Sequence, residues 1–353
     1  MDGSWGEGGG QILRIGVALS AVIDRPIRIY DIRAKRPSPG LRPQHETAVR
    51  AVAQITNAEV KGLEIGSSEI EFSPNRAKGG KFLFDTGTAA STSLILQSLM
   101  PTMTFASKPF QTEIRGGTNN PWAPTVDYIQ EILLPTVKKM GYKGSIELEK
   151  RGFYPRGGGI VRADATPIEK LNPIILKESG KVTRIRGLAY SSRLPYHIVD
   201  RMAKSATKTL QDAGYPLVTI ERENLQPGSN RCAIDPGCGI ILFAEFASGA
   251  MIGSDNLGRT NKPAERVGYE AANGLIEQLK TGCPVDEHLG DQLIVYMALA
   301  DGVSEINVSK LTLHTTTCVH VAEQIAKAKF QISGEVGKQA TIICKGIGYK
   351  RGR

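Results

Sequence analysis

The sequence predicts a layered α/β fold of the α+β kind: a large unit interrupted by a smaller inserted α/β unit. Three observations carry this. Strand-like and helix-like periods alternate along the whole chain. Glycine-rich turns recur at GEGGGQILR, RAKGGKF and RGFYPRGGGIVRA, which suggests that a β-α unit repeats. The rhythm then changes near Val182 and returns to its earlier style after Gly282-Cys283-Pro284. The expected division is 1–181 for the first part of the large repeat domain, 182–280 for the insertion and 281–353 for the last part.

In chain order, helices are expected near 11–22, 43–56, 89–100 and 125–140, with short β-rich runs at 27–32, 69–72, 81–85 and 111–115 between them. The insertion reads as a strand at 182–189, a helix at 195–213, strands near 217–222 and 239–246, and a helix at 263–280. EHLGDQLIVYMALA resumes the large unit as a helix. In LTLHTTTCVH, Cys318, Val321, Ala322, Ile325 and Ala328 form the apolar stripe of a further helix, and His320, Gln324 and Lys327 fall on its polar face. The run Thr315, Thr316, Thr317 has poor helix propensity and good capping chemistry, so this helix is expected to begin within it, leaving His314 just ahead of the first turn.

The chain has 353 residues, enough for two folding units. No apolar run approaches the roughly 18 residues of a membrane span, so no membrane is expected. The opening MDGSWGEGGGQ lacks the basic and apolar regions of a signal peptide, which gives a cytoplasmic expectation. Five cysteines without a C-x-x-C pair suggest reduced thiols and neither a disulfide framework nor a zinc site. With 44 basic and 35 acidic residues the formal charge is +9, which favours a polyanion such as RNA. No basic–aromatic block marks an RNA-recognition sheet, so recognition of a strand end fits better than tracking along a strand.

Several short segments carry candidate chemistry. GEGGGQILR places Glu7 among glycines ahead of a helix, where backbone N–H groups attract phosphate and a carboxylate makes sense with a divalent cation between. It matches neither the P-loop nor the dinucleotide-loop pattern, and a tight structural turn explains it equally well. RAKRPSPGLRPQHETAVR concentrates Arg33, Lys35, Arg36 and Arg42 around Pro/Gly turns before Gln44 and His45, and arginine forks suit phosphate oxygens. RGGTNNPWAPTVDY reads as a rigid turn whose Trp122 walls a base pocket or, as is commoner for tryptophan, packs in the core. In EHLGDQL, Glu287 and Asp291 are an i, i+4 carboxylate pair with His288 three residues before Asp291, which reads equally as a site or as the solvated charge of a helix face. His314, beside a helix start that favours anions, reads as a nucleophile or as a simple cap.

Taken in order, GEGGGQILR, RPSPGLRPQHETAV, GGTNNPWAP, RGFYPRGGG, DEHLGDQL and LTLHTTT resemble the RNA 3′-terminal phosphate cyclase family over nearly the whole chain. The resemblance implies a large domain of three repeated β-α-β-α-β-β units with a smaller α/β insertion. It implies ATP as substrate, a divalent cation, Mg²⁺ or Mn²⁺, and RNA with a 3′-terminal phosphate as partner. His314 matches the histidine that becomes adenylylated, and Glu7 the metal-associated carboxylate. Arg14, Arg36, Gln44 and His45 match positions near the phosphates, and Gln97, Pro124, His288, Asp291 and Gln292 positions lining the nucleotide site. The sequence departs from the family at His288, where members often carry tyrosine. Two rival readings differ in chemistry: a non-catalytic ribosome-biogenesis relative lacks the histidine, and an enolpyruvyl transferase-like enzyme needs no adenylylated intermediate.

Overall fold

A computed structural model describes residues 1–352. The first layer pairs helices α1 (Gln11–Ile23) and α2 (Pro43–Thr56) with strands β1 (Ile27–Ile29), β2 (Glu59–Lys61) and β3 (Ile70–Ser73). These strands lie in the order β1-β3-β2, all antiparallel, and Asp2 adds a parallel bridge to Tyr30 beside β1. The strand expected over 27–32 stops at Ile29 because Asp31 and Arg33 turn the chain with φ of 53° and 56°.

A second sheet has the order β4-β5-β7-β6, from β4 (Gly80–Asp85), β5 (Phe110–Gly116), β6 (Gly144–Lys150) and β7 (Gly159–Ala165). Here β4 and β5 are parallel, and β7 pairs antiparallel with both β5 and β6. Helix α3 (Thr92–Thr104) crosses between β4 and β5, starting later and ending later than the expected 89–100. Ser91 supplies its N-cap, and Pro101 sits inside the last turn without stopping it. The helix expected over 125–140 comprises α4 (Val126–Tyr128), a wide turn over Ile129–Leu133 and α5 (Leu134–Lys139). Pro135 cannot donate to a carbonyl four residues back, and the widened turn absorbs the loss.

Strand β8 (Ile175–Leu176) opens a third sheet that is completed only near the end of the chain. Between lie β9 (Val182–Ser192), α6 (His197–Asp212), β10 (Val218–Leu225), β11 (Gly237–Phe246), β12 (Met251–Leu257) and α7 (Ala264–Leu279). Their sheet has the order β10-β9-β11-β12, and a separate apolar cluster spans Ile185 to Leu279. The chain then returns through α8 (Glu287–Leu299), β13 (Val303–Val308), α9 (Leu313–Ile325), β14 (Lys329–Gly334) and β15 (Ala340–Lys345). The third sheet reads β14-β15-β13-β8, with β13 parallel to β8 and β15 antiparallel to β13 and β14. Helices from all three layers share one core, in which Leu19, Leu96, Leu293 and Val321 are fully buried. That core brings the N-terminal ends of α1, α8 and α9 to one side of the molecule. Among the described residues no helix is long and apolar enough to cross a membrane.

Candidate functional site

A cavity of about 400 Å³ lies where α1, α3, α8 and α9 meet the turn before α4. A volume of this size suits a nucleotide-sized ligand. Seven of the eleven site residues that the resemblance implies line it: Arg14, Gln97, Pro124, His288, Asp291, Gln292 and His314. Glu7, Arg36, Gln44 and His45 do not line it but adjoin its His314 end, as their contacts show.

Helix α9 begins one turn earlier than its threonine run suggested. The Thr312 hydroxyl accepts from the Thr315 N–H at 3.0 Å and acts as N-cap, which places His314 inside the first turn rather than ahead of it. The β-branched residues are tolerated because Thr316 and Thr317 return their hydroxyls to the Leu313 carbonyl, at 3.1 and 2.7 Å. The Gln11 amide donates to the His314 carbonyl at 2.8 Å and ties α1 to this turn.

Glu7 Oε2 stands 3.2 Å from His314 Nδ1 and 3.2 Å from the Arg36 guanidinium. Burial lowers the His314 pKa, Glu7 opposes this, and Arg14, Arg36 and His288 lower it further. The imidazole is therefore neutral at physiological pH. With Nδ1 facing the carboxylate, its proton sits there and Nε2 keeps a free lone pair. Burial also lowers Arg14, to about 10, and it remains a cation.

His45 holds the glycine loop from the other side. The Arg42 N–H donates to its Nδ1 at 3.3 Å, and the Gln44 amide nitrogen lies 3.4 Å from its Nε2. Its ring presses so closely on the loop that a Cβ at Gly10 would meet Nε2 at 2.1 Å. Burial first, then Arg14, Arg33 and Arg42, push His45 down to about 3, so it is an uncharged spacer among cations.

At the opposite wall, α8 carries a carboxylate cluster. Asp286 caps the helix, accepting from the His288 and Leu289 N–H groups at 3.0 and 2.8 Å and from the Tyr128 hydroxyl at 2.5 Å. Its other oxygen accepts from the Gly253 N–H at 3.0 Å, which fastens α8 to β12. Burial raises Asp291 to about 7, partly offset by His288 and Arg14. His288 keeps an exposed edge, yet protein atoms crowd it enough that burial opposes its charging. Asp286, Asp291, Glu287 and Asp255 outweigh this and raise its pKa. EHLGDQL is thus no plain solvated helix face, because Asp291 and Gln292 point into the cavity.

Trp122 is fully exposed, lines the cavity mouth and has φ of 68°, so the core placement commoner for tryptophan does not apply. His320 is not on an open solvated face either. It stacks on Trp5 with ring centroids 4.1 Å apart and planes 4° from parallel. The stripe Cys318, Val321, Ala322 and Ile325 is buried as expected; Ala328 is buried too but lies beyond the end of α9, as does Lys327, whose φ of 62° turns the chain, and all five cysteines are free.

The sequence reading missed Gln11, Tyr128, Asp255 and Asp286. Asp286 had a legible signal, a carboxylate immediately before a helix, whereas Asp255 reaches the cavity only through the packing of β12. For a metal, the described residues contain no group of three or more His, Cys, Asp or Glu able to hold one. Glu7 is the carboxylate that the resemblance assigns to a metal, and one carboxylate suits a magnesium-type ion whose other ligands are substrate phosphates and water.

A family model described as RNA 3′-terminal phosphate cyclase matches residues 5–332. Proteins named RNA 3′-terminal phosphate cyclase from Desulfurococcus amylolyticus and Ignicoccus hospitalis are each 44% identical over 352 residues. The match covers 99% of this chain and 98% and 99% of theirs. The protein of that name from Pyrobaculum aerophilum is also 44% identical, over 99% of both chains.

Proposed function

This chain belongs to the RNA 3′-terminal phosphate cyclase family, and from that premise we propose that it converts an RNA 3′-terminal phosphate to a 2′,3′-cyclic phosphate at the expense of ATP. The observation that carries this reading is the pairing of Glu7 with His314 Nδ1, which leaves a neutral Nε2 beside a nucleotide-sized cavity. His314 Nε2 attacks the α-phosphorus of ATP, pyrophosphate leaves, and AMP is held on the histidine. The RNA 3′-phosphate then takes the AMP as RNA(3′)ppA. Attack by the neighbouring 2′-hydroxyl closes the cyclic phosphate and releases AMP.

Each step brings anions together, so the protein's contribution is charge and alignment. Arg14 and Arg36 supply the fixed positive charge nearest His314, and His45 and Gln44 hold the loop between them. Gln97, Pro124, His288, Asp291 and Gln292 enclose the nucleoside, with Trp122 at the mouth. A divalent cation bound at Glu7 would offset phosphate charge. The fold reading, three repeated β-α-β-α-β-β units around an insertion at 182–280, is supported by one pairing pattern. A parallel pairing or bridge, then two antiparallel neighbours, occurs in each of the three sheets outside the insertion.

The steps separate on a strand whose terminal nucleotide is 2′-deoxy and carries a 3′-phosphate. It should accept AMP but fail to cyclise, and so accumulate as the adenylylated strand, while a ribose terminus yields the cyclic phosphate. Electrophoresis of end-labelled strands reads this. A cyclic product with no adenylylated species on either strand would overturn the sequence of steps.

A further inference from the structure

His314 and His320 are six residues apart on α9, with Thr317 midway, so the three stand on successive rungs of one ridge of the helix. The loop before α1 descends the same ridge. Trp5 stacks on His320. Gly6, with φ of 57°, lies against Thr317, where a Cβ would meet Oγ1 at 2.7 Å. Glu7 reaches His314. The Gly8 N–H donates to the Trp5 carbonyl at 2.9 Å and closes the turn that carries Glu7.

We propose that the Trp5–His320 stack is a positioning contact: it registers the glycine loop on α9 and so holds Glu7 against His314. The loop needs such an anchor. Glycine gives it the left-handed turn at Gly6 and Gly8 but leaves it many alternative conformations. Glu7 itself is held only by half-exposed contacts to His314 and Arg36, which contribute little ordering by themselves. A parallel aromatic stack six residues along the helix fixes the loop at its far end, and glycine at position 6 lets the loop pass close to Thr317 between them. His320 acts here through its flat ring, not through its charge.

The proposal rests on His314 receiving the nucleotide, and its test separates the two. Single-turnover labelling with α-labelled ATP is measured for the wild type, Trp5→Ala, His320→Ala, the double variant and His320→Phe. Each alanine variant should label about tenfold more slowly, since small misplacements near a reacting centre have effects of that order or more. The ATP concentration giving half-maximal rate should not change, the double variant should be no slower than either single one, and His320→Phe should restore most of the rate. The chain has only two tryptophans. In a Trp122→Phe background, Trp5 emission should therefore rise on His320→Ala as the quenching ring is removed. If Trp5→Ala does not fold, the His320 pair carries the test. Unchanged rates in folded variants, or losses that multiply in the double variant, overturn the positioning role and leave His314 as nucleophile. A wild type that never labels overturns both.

Discussion

Two nitrogens on one imidazole decide the chemistry assigned to His314. Nδ1 faces Glu7, so the proposed nucleophile is Nε2. Removing the carboxylate frees the ring to rotate and takes away the proposed cation ligand together. Glu7→Ala should slow adenylylation by about 10- to 100-fold, as losing an orienting partner commonly does, and excess divalent metal should recover part of the loss. An unchanged rate and metal dependence would return Glu7 to a structural turn. Much of this site was legible: Glu7 was odd among glycines, and His314 stood by a helix start. What escaped was local geometry. The cap fell to Thr312 because its hydroxyl reaches the Thr315 N–H, and no propensity scale ranks one threonine of a run above another. Trp122 stands fully exposed on a short turn between Pro121 and Pro124.

Helices show the same division. α2 starts and ends where the sequence placed it, since Pro43 fits the first helical position and Asn57 closes it in the left-handed conformation. The wide turn at Ile129–Leu133 was not legible, because the helical period runs through it unbroken. At the junction of α1 and α2, buried His45 makes stability depend on acid. Its pKa falls from 6.5 unfolded to about 3 folded. Above pH 6.5 neither state binds the proton and nothing is lost. As the pH falls below 6.5 the unfolded chain takes the proton and the folded one does not, so stability drops by roughly 1.4 kcal/mol per unit until about 3. Denaturant unfolding at pH 7 and 4.5 should show about 3 kcal/mol less of this acid loss in His45→Gln than in the wild type. An identical acid loss in both would mean that His45 is protonated in the folded protein.

Across the whole molecule, the insertion supplies a wall of the cavity through Asp255 and must be held in register with α8 and α4. The Asp286–Gly253 contact does this for α8, and a buried ion network does it for α4. Arg151 binds both oxygens of Asp127 at 2.8 and 2.9 Å and Glu223 of β10 at 2.9 Å, and lies 3.9 Å over the ring of Tyr190 on β9. Tyr190 in turn accepts from the Asn119 amide at 2.8 Å. Removing the arginine leaves buried Asp127 without a partner and Glu223 with Arg231 alone, so Arg151→Ala should destabilise the protein by roughly 3–5 kcal/mol. It should also weaken ATP binding by loosening Asp255. Calorimetry and nucleotide titration check the pair, and an intact melting transition would show that the network is dispensable. None of this was readable from spacing, because the partners come from elements far apart in the chain.

The central claim is that His314 is the nucleophile, and covalent labelling tests it most directly. Purified protein incubated with α-labelled ATP and Mg²⁺ or Mn²⁺, then digested, should carry AMP on the peptide containing His314, in a bond lost in acid and stable in base. His314→Ala should carry none. Full labelling of His314→Ala, or label recovered on another residue of the wild type, would contradict the account.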